Sequence, residues 1–358
     1  MSLFGFEELR NEAKKKLSKD IFAYVDSGAE SEKTKERNYK SFSEYFIIPR
    51  VLRNVIGPNT ELQLLNFFLK SPILVAPMAY QKLLHKNGEM ETIQAVNQFG
   101  GGLILSIFSS TDFKKIADNT DQKPWFQLYL LKDRSVTKNI IQEISRMGFQ
   151  ALVITVDTPI YGKRTQEKQT PLFLPNYISF DHLNHFGIDV DKIKKSPNHF
   201  ASLLDPKFSW EDIEWISKIT NLPIVLKGIL DPRDTQIALK FPNIKGIIIS
   251  NHGGRQLDSA ISPLDIIRQH RQLVEDKLFL GIDGGITTGK DIFKSIALGA
   301  DVVFLGRIIL WALACFASKG VFQLLNHLNT EFKETMFLTG CSKLSEIPTI
   351  ELVRLMEK

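Results

Sequence analysis

The stretch GIIISNHGGRQLD, residues 246–258, decides how this chain is read. Its opening Gly246-Ile247-Ile248-Ile249 is a short, continuous apolar run, the pattern of a strand buried on both faces. Polarity then changes at once, to Ser250, Asn251, His252, Gly253, Gly254 and Arg255. None of these helps a core. Either the strand ends in an ordinary surface turn, or it delivers a His and an Arg to a reaction. The other strands of the chain decide between the two.

From residue 72 onward, short apolar runs alternate with amphipathic stretches. Eight runs read as strands: Ile73–Ala76, Leu103–Ser106, Trp125–Tyr129, Ala151–Thr155, Pro223–Lys227, Gly246–Ser250, Phe279–Ile282 and Val302–Leu305. Each is rich in Ile, Val, Leu or Phe and too short for a helix. Helix signals fill the gaps. Ser209 with Asp212 forms a capping box that opens a helix through Ile219. Asp231-Pro232 and Ser262-Pro263 each place an N-cap before a proline at the first helical position. Gly88–Phe99, Ser135–Met147 and Gly289–Leu298 carry helical periodicity. Eight βα units predict an α/β fold, a (β/α)8 TIM barrel. A doubly wound open sheet is the alternative, but no GxGxxG follows the first strand.

The organisation expected is one domain over residues 1–358. Residues 1–71 form an N-terminal helical and β cap, with helices over Phe6–Lys16 and Asp20–Ser27 and short strands near Thr60–Leu64 and Asn66–Lys70. This cap covers the barrel bottom and sends a segment to the top. The barrel spans 72–320, and 321–358 supply a C-terminal helix and tail. The connection after strand four, about 158–208, is long and mixes Pro with aromatics at Pro171–Pro175; it reads as a lid. His182 and His185 lie within it, and no metal site is expected there.

Bulk composition is that of an ordinary soluble globular protein, 43% hydrophobic and 24% charged. The net charge of +5 is spread along the chain. The densest basic run, Lys14-Lys15-Lys16, sits near Glu7, Glu8 and Asp20 and reads as a solvated helix face; nucleic acid demands a clustered basic surface. The two cysteines, Cys315 and Cys341, form no metal-ligand spacing and suit a reducing compartment. No signal or transit peptide is read at the N-terminus and no apolar run of membrane-span length is expected. The expectation is a cytoplasmic enzyme.

In a barrel of this kind the site lies at the C-terminal strand ends. The eight ends read, in order, Pro77-Met78-Ala79, Ser106, Gln127 with Tyr129, Thr155 with Asp157, Lys227, Ser250 with His252, Asp283-Gly284-Gly285 and Gly306-Arg307. Each alone is an ordinary turn former or a solvated side chain. Together they form a rim that suits a large polar ligand. The last two lie where barrel phosphate sites are built. Arg255 suits a carboxylate, because its planar fork binds both oxygens. His252 suits a proton acceptor.

These motifs resemble the FMN-dependent α-hydroxy-acid oxidase and dehydrogenase family, of the glycolate oxidase, lactate oxidase and L-lactate dehydrogenase type. The likeness runs nearly end to end. It is carried by Tyr24–Glu30, Ala76–Ala79, Phe126–Tyr129, Thr155–Pro159, Leu226–Gly228, Ser250–Asp258, Asp283–Gly285 and Leu305–Arg307.

The resemblance implies the following roles. His252 is the base, and Asp157 supports its charged form. Arg255 and Arg164 bind a substrate carboxylate with Tyr24, while Tyr129 bonds the substrate oxygen at the reacting carbon. Lys227 faces the N1/O2 edge of FMN, and Ala79 lies beside its N5, with Pro77 and Met78 giving backbone contacts. Ser106, Gln127, Thr155 and Ser250 bond the ring or its chain. Asp283, Gly284, Gly285, Ile286 and Thr287, with Gly306 and Arg307, hold the phosphate.

The implied reaction takes an (S)-2-hydroxy acid such as L-lactate, glycolate or a longer analogue to the 2-oxo acid. Electrons pass through FMN to oxygen or another acceptor. Both hydride transfer and a carbanion route fit this residue set. A homotetramer without a membrane-spanning segment is implied. No haem domain is read before residue 1, and the loop after Arg164 lacks a long apolar insertion.

Three departures stand out. Thr287 replaces an arginine usual in the family, though its hydroxyl and backbone N–H are able to donate to a phosphate. Met78 replaces a smaller residue. Phe108 and Tyr161 stand where the glycolate-oxidase branch has Trp and Leu, which leaves room for lactate or a longer acid. A flavin-dependent isopentenyl diphosphate isomerase, a second flavin-barrel reading, does not need Arg164 and Arg255 together. A non-catalytic barrel does not need the whole polar set.

Overall fold

The computed structural model describes residues 5–190, 193 and 199–355. All eight expected strands are present and close into one parallel barrel in chain order. They span Ile73–Val75, Gly102–Ser106, Trp125–Leu128, Leu152–Thr155, Ile224–Ile229, Ile244–Ile249, Phe279–Asp283 and Val302–Leu305. The eighth pairs with the first, Val303 opposite Ile73. Most strand residues are fully buried, because helices cover the outside and side chains fill the inside.

Leu62–Leu64 and Phe67–Leu69 form an antiparallel hairpin. Its Leu64, Phe67 and Leu69 pack into the lower barrel with Trp125, Val225, Ile248 and Phe304. Phe67 stacks on Trp125, ring centroids 5.0 Å apart. Inside the barrel Gly246 lies opposite Phe279. A Cβ on Gly246 would sit 2.1 Å from that ring, so glycine is required there.

The top is reached by helices Phe6–Lys16, Lys19–Asp26 and Lys33–Glu44. The third, polar except for Tyr39 and the buried Phe42, is absent from the sequence reading. A short antiparallel pair, Tyr45–Ile47 with Leu352–Arg354, ties the two ends of the chain. Glu44 binds Arg37 and Arg354 there.

One expectation needs correction. The helix Arg307–Leu338 is long and apolar enough to cross a membrane, by length and composition. Its regular path breaks at Phe316 and at Ala317, which has φ +52°. Sixteen of its residues, among them Trp311, Leu324, Leu328 and Phe332, are buried against the rest of the protein. It reads as two core helices joined end to end. The spacing of Lys, Asn and Glu along its second half hid its apolar character.

Asp26 anchors the N-terminal helices. Arg10 donates to both its oxygens, at 2.6 and 2.8 Å, and Lys35 lies 3.7 Å away. Burial alone raises its pKa; Arg10 and Lys35 outweigh burial and hold it below the ordinary carboxylate range. A depressed carboxylate stabilises the fold above its unfolded pKa and loses that contribution as pH falls through the folded value. Asp26→Asn is therefore expected to lower stability at pH 7 by about 2 kcal/mol, less than for a fully buried pair because Arg10 is partly exposed. The gap to wild type should narrow below about pH 4. Urea midpoints at neutral and acid pH measure both; a gap that stays constant contradicts the linkage.

Candidate active site

The residues after the sixth strand make a short left-handed turn. His252, Gly253 and Gly254 have φ of +57°, +62° and +76°. For a histidine this costs about 1–2 kcal/mol. The turn is held by its own polar atoms. The Ser250 hydroxyl accepts the His252 N–H at 3.0 Å, and the Asn251 side chain accepts the Gly254 N–H at 3.0 Å. Asn251 and Asn38 exchange two amide hydrogen bonds, 2.8 and 2.7 Å. A side chain on Gly254 would strike the Lys35 backbone, 2.5 Å from its Cβ position.

The turn aims His252 into the barrel mouth with its Nδ1 2.9 and 3.1 Å from the two oxygens of Asp157. Burial pushes the Asp157 pKa up, but His252, Lys227 and the Thr158 hydroxyl together bring it below the ordinary range. Asp157 is thus an ionised acceptor, which places the neutral imidazole's hydrogen on Nδ1 and its lone pair on Nε2.

Arg164 and Arg255 meet above this dyad. Both approach the same oxygen of Glu167, each at 3.2 Å. Ser27 donates to that oxygen at 2.8 Å, and Tyr161 donates to the other at 3.1 Å. Arg164 lies over the Tyr161 ring at 4.0 Å and also donates to its hydroxyl. Arg255 lies over the Tyr24 ring at 5.3 Å. Burial, then the Arg164 charge, lowers the Arg255 pKa to about 10, which leaves it charged at neutral pH. Burial raises the phenols of Tyr24 and Tyr129, so both stay neutral donors.

Beside this group runs a polar rail. Ser106 donates to Gln127 at 3.1 Å, and Gln127 donates to Thr155 at 3.0 Å. Lys227 sits 2.7 Å from Asp283 and 2.8 Å from the Ser250 hydroxyl. The second oxygen of Asp283 is buried with no hydrogen-bond partner. Pro77, Met78, Ala79, Gly284, Gly285, Ile286, Gly306 and Arg307 line the same cavity, as do Tyr24, Tyr129, Arg164, His252 and Arg255. Its volume, open mouth included, is about 1410 Å³.

Two of the expected cofactor contacts fall outside the lining. Ser250 stands behind Lys227 and braces the turn. Thr287 spends both its N–H and its hydroxyl on Asp291, at 3.0 and 3.1 Å. Asp291 closes a capping box with Thr288, so the helix end competes for these donors.

Residues not foreseen also enter. The long connection after the fourth strand carries Phe200 onto Phe108, centroids 3.8 Å apart, and Phe108 stacks on Tyr129 at 5.5 Å. Glu167 and Tyr39 carry no motif. Glu167 had one signal, its place three residues beyond Arg164 on a short helix.

Comparison with known proteins agrees with this geometry. The family model for FMN-dependent dehydrogenases matches residues 13–354. The chain is 37% identical over 350 residues to 2-hydroxyacid oxidase of Dictyostelium discoideum, covering 97% of this chain and 89% of that protein. It is 36% identical over 357 residues to L-lactate oxidase of Nostoc sp., covering 98% and 97%. The crystal structure of mandelate oxidase with (S)-4-hydroxymandelic acid superposes with a TM-score of 0.93 at 30% identity, covering 99% and 100%. A barrel mouth of this composition, a match across almost the whole chain and such relatives lead to one conclusion: the protein is an FMN-dependent oxidoreductase that belongs to the α-hydroxy-acid oxidase and dehydrogenase family.

Proposed function

We propose that this protein oxidises an (S)-2-hydroxy acid with an apolar side chain to its 2-oxo acid, using His252 as base and Arg164 with Arg255 as the carboxylate clamp. The observation that carries this is the meeting of the His252–Asp157 dyad and the two arginines in one cavity. The residues present fit FMN. The unpartnered Asp283 oxygen, the Ser106–Gln127–Thr155 rail and Lys227 offer hydrogen bonds to a polar ring and chain. The same cavity is lined by both the rail and the His252–Arg164–Arg255 group, so a cofactor and a substrate would lie side by side in it.

When bound, FMN takes up the two electrons. The protein's own groups do the rest. Arg164 and Arg255 fix the carboxylate by paired N–H donors. Tyr129 and Tyr24 donate to substrate oxygens and so orient the reacting carbon. His252 accepts the proton at Nε2, and the resulting imidazolium is stabilised by Asp157 at Nδ1. Lys227 supplies fixed positive charge beside the rail.

The side-chain preference follows from the wall. Phe108, Phe200, Tyr80, Tyr161 and Leu204 line the cavity. A methyl or larger apolar group fills that wall better than hydrogen, so L-lactate or a longer acid should outcompete glycolate. The two buried, unpaired cysteines favour a reducing, cytoplasmic setting. The exposed Val51, Leu52, Ile56, Phe337 and Leu338 support self-association, and a homotetramer is the assembly that the family resemblance implies. Gly340, just past the last two, packs on Arg53 and brings both groups together. Light scattering should then give four times the chain mass of 40.7 kDa.

The purified yellow protein should bleach anaerobically with L-lactate or a longer (S)-2-hydroxy acid, and more slowly with glycolate. A flavin that stays oxidised across such a panel refutes the function. Fast recolouring in air identifies oxygen as acceptor. His252→Gln should keep the flavin spectrum and lose about 10²–10⁴-fold in kcat. Turnover near wild type would remove His252 from the base role.

A further inference from the structure

The phosphate-receiving end of the cavity lies between the seventh and eighth strand ends, and its obvious donors are already engaged. Thr287 is turned to Asp291. Arg307 donates to three main-chain carbonyls: Val25 at 3.0 Å, Gly253 at 2.8 Å and Ser27 at 2.9 Å. That leaves two of the five guanidinium hydrogens for any ligand. A phosphate monoester carries about −1.5 to −2 charge and three acceptor oxygens. It calls for more donors than these.

Tyr39 is placed to supply one. It lines the cavity together with Phe6, Gly285 and Arg307. The backbone just before it is pressed against Gly285, whose φ is +84°. A Cβ on Gly285 would lie 2.2 Å from the Asn38 carbonyl oxygen and 3.1 Å from the Tyr39 nitrogen. The Tyr39 ring rests on Phe6, centroids 5.2 Å apart. Its hydroxyl makes no hydrogen bond among the described residues. Burial raises its pKa, with the Arg307 charge the largest opposing influence, so the phenol keeps its hydrogen at neutral pH.

We propose that Tyr39 donates its phenolic hydrogen to the terminal phosphate of the bound flavin nucleotide, beside the main-chain N–H groups of the seventh and eighth strand ends. This rests on the flavin reading of the cavity and extends it to a residue no motif marks. The donor is neutral, so it selects the phosphate by a directed hydrogen bond with no added charge.

The test titrates flavin-stripped full-length protein, wild type and Tyr39→Phe, with FMN and with riboflavin, following quenching of flavin fluorescence. Riboflavin shares the ring and ribityl chain but lacks the phosphate. Tyr39→Phe should weaken FMN about tenfold or more, the effect of one lost hydrogen bond to a charged acceptor. Riboflavin affinity should stay within about twofold, which also shows that the variant's site is intact. Equal loss of both flavins, or no loss of FMN, overturns the assignment and leaves the flavin reading standing. Wild-type protein that binds neither flavin overturns both.

Discussion

The left-handed turn at residues 252–254 is the constraint on which the rest of the barrel mouth depends. It puts His252 against Asp157 and turns Arg255 toward Arg164. Its carbonyls also receive the N-terminal segment. Gly254 accepts the Ala29 N–H at 2.7 Å, while Gly253 accepts from Arg307, which holds Val25 and Ser27 as well. Tyr24 therefore reaches the cavity because a turn more than two hundred residues later gives its helix a place to end. The unfavourable backbone of His252 is maintained by surroundings that fix it from several sides, as strained residues at functional sites generally are. Gly228 adds a further condition. A Cβ there would lie 2.6 Å from that of Asp157, so the carboxylate seat exists only with glycine beneath it.

The buried cations beside the dyad each have a carboxylate. Lys227 has Asp283, and His252 has Asp157. Arg164 and Arg255 share Glu167 alone. Removing a counter-ion from such a group leaves a charge in low dielectric, so the pairing stabilises the barrel mouth. The shared carboxylate leaves the clamp with one positive charge to spare, which suits one substrate carboxylate. Glu167 does not line the cavity; it acts from behind, holding both forks at a common angle.

Much of this was legible in the sequence, and for a physical reason. Parallel barrel strands are buried on both faces, so each appears as an apolar run, and the first polar residue after each run marks the rim. Reading eight such ends was enough to bring His252, Arg255, Lys227, Gln127 and Asp283 to one place. What escaped was whatever depends on contacts across the chain. Tyr39 sits in KTKERNYKSFSE, a helix whose polarity resembles a solvated surface; only its packing under the left-handed turn makes it part of the cavity. Phe200 lies in a Pro- and aromatic-rich connection with no period to orient it. Thr287 differs for another reason: the capping box Thr288–Asp291, present in the sequence, draws its N–H and hydroxyl to Asp291.

The two ends of the cavity consequently work on different physics. Toward His252 the ligand would meet clustered, largely buried charge, where each arginine hydrogen bond is strong and strongly oriented. Toward Gly285 and Gly306 it meets main-chain N–H groups, a phenol and a guanidinium largely committed to carbonyls. A substrate must enter and leave with every turnover, and recognition by one surplus charge allows both. A cofactor must stay, and many separate contacts along the rail and the strand ends, neutral donors together with Lys227 and Arg307, would hold it. The barrel allows the division because its eight strand ends surround one cavity and supply different side chains to different parts of it.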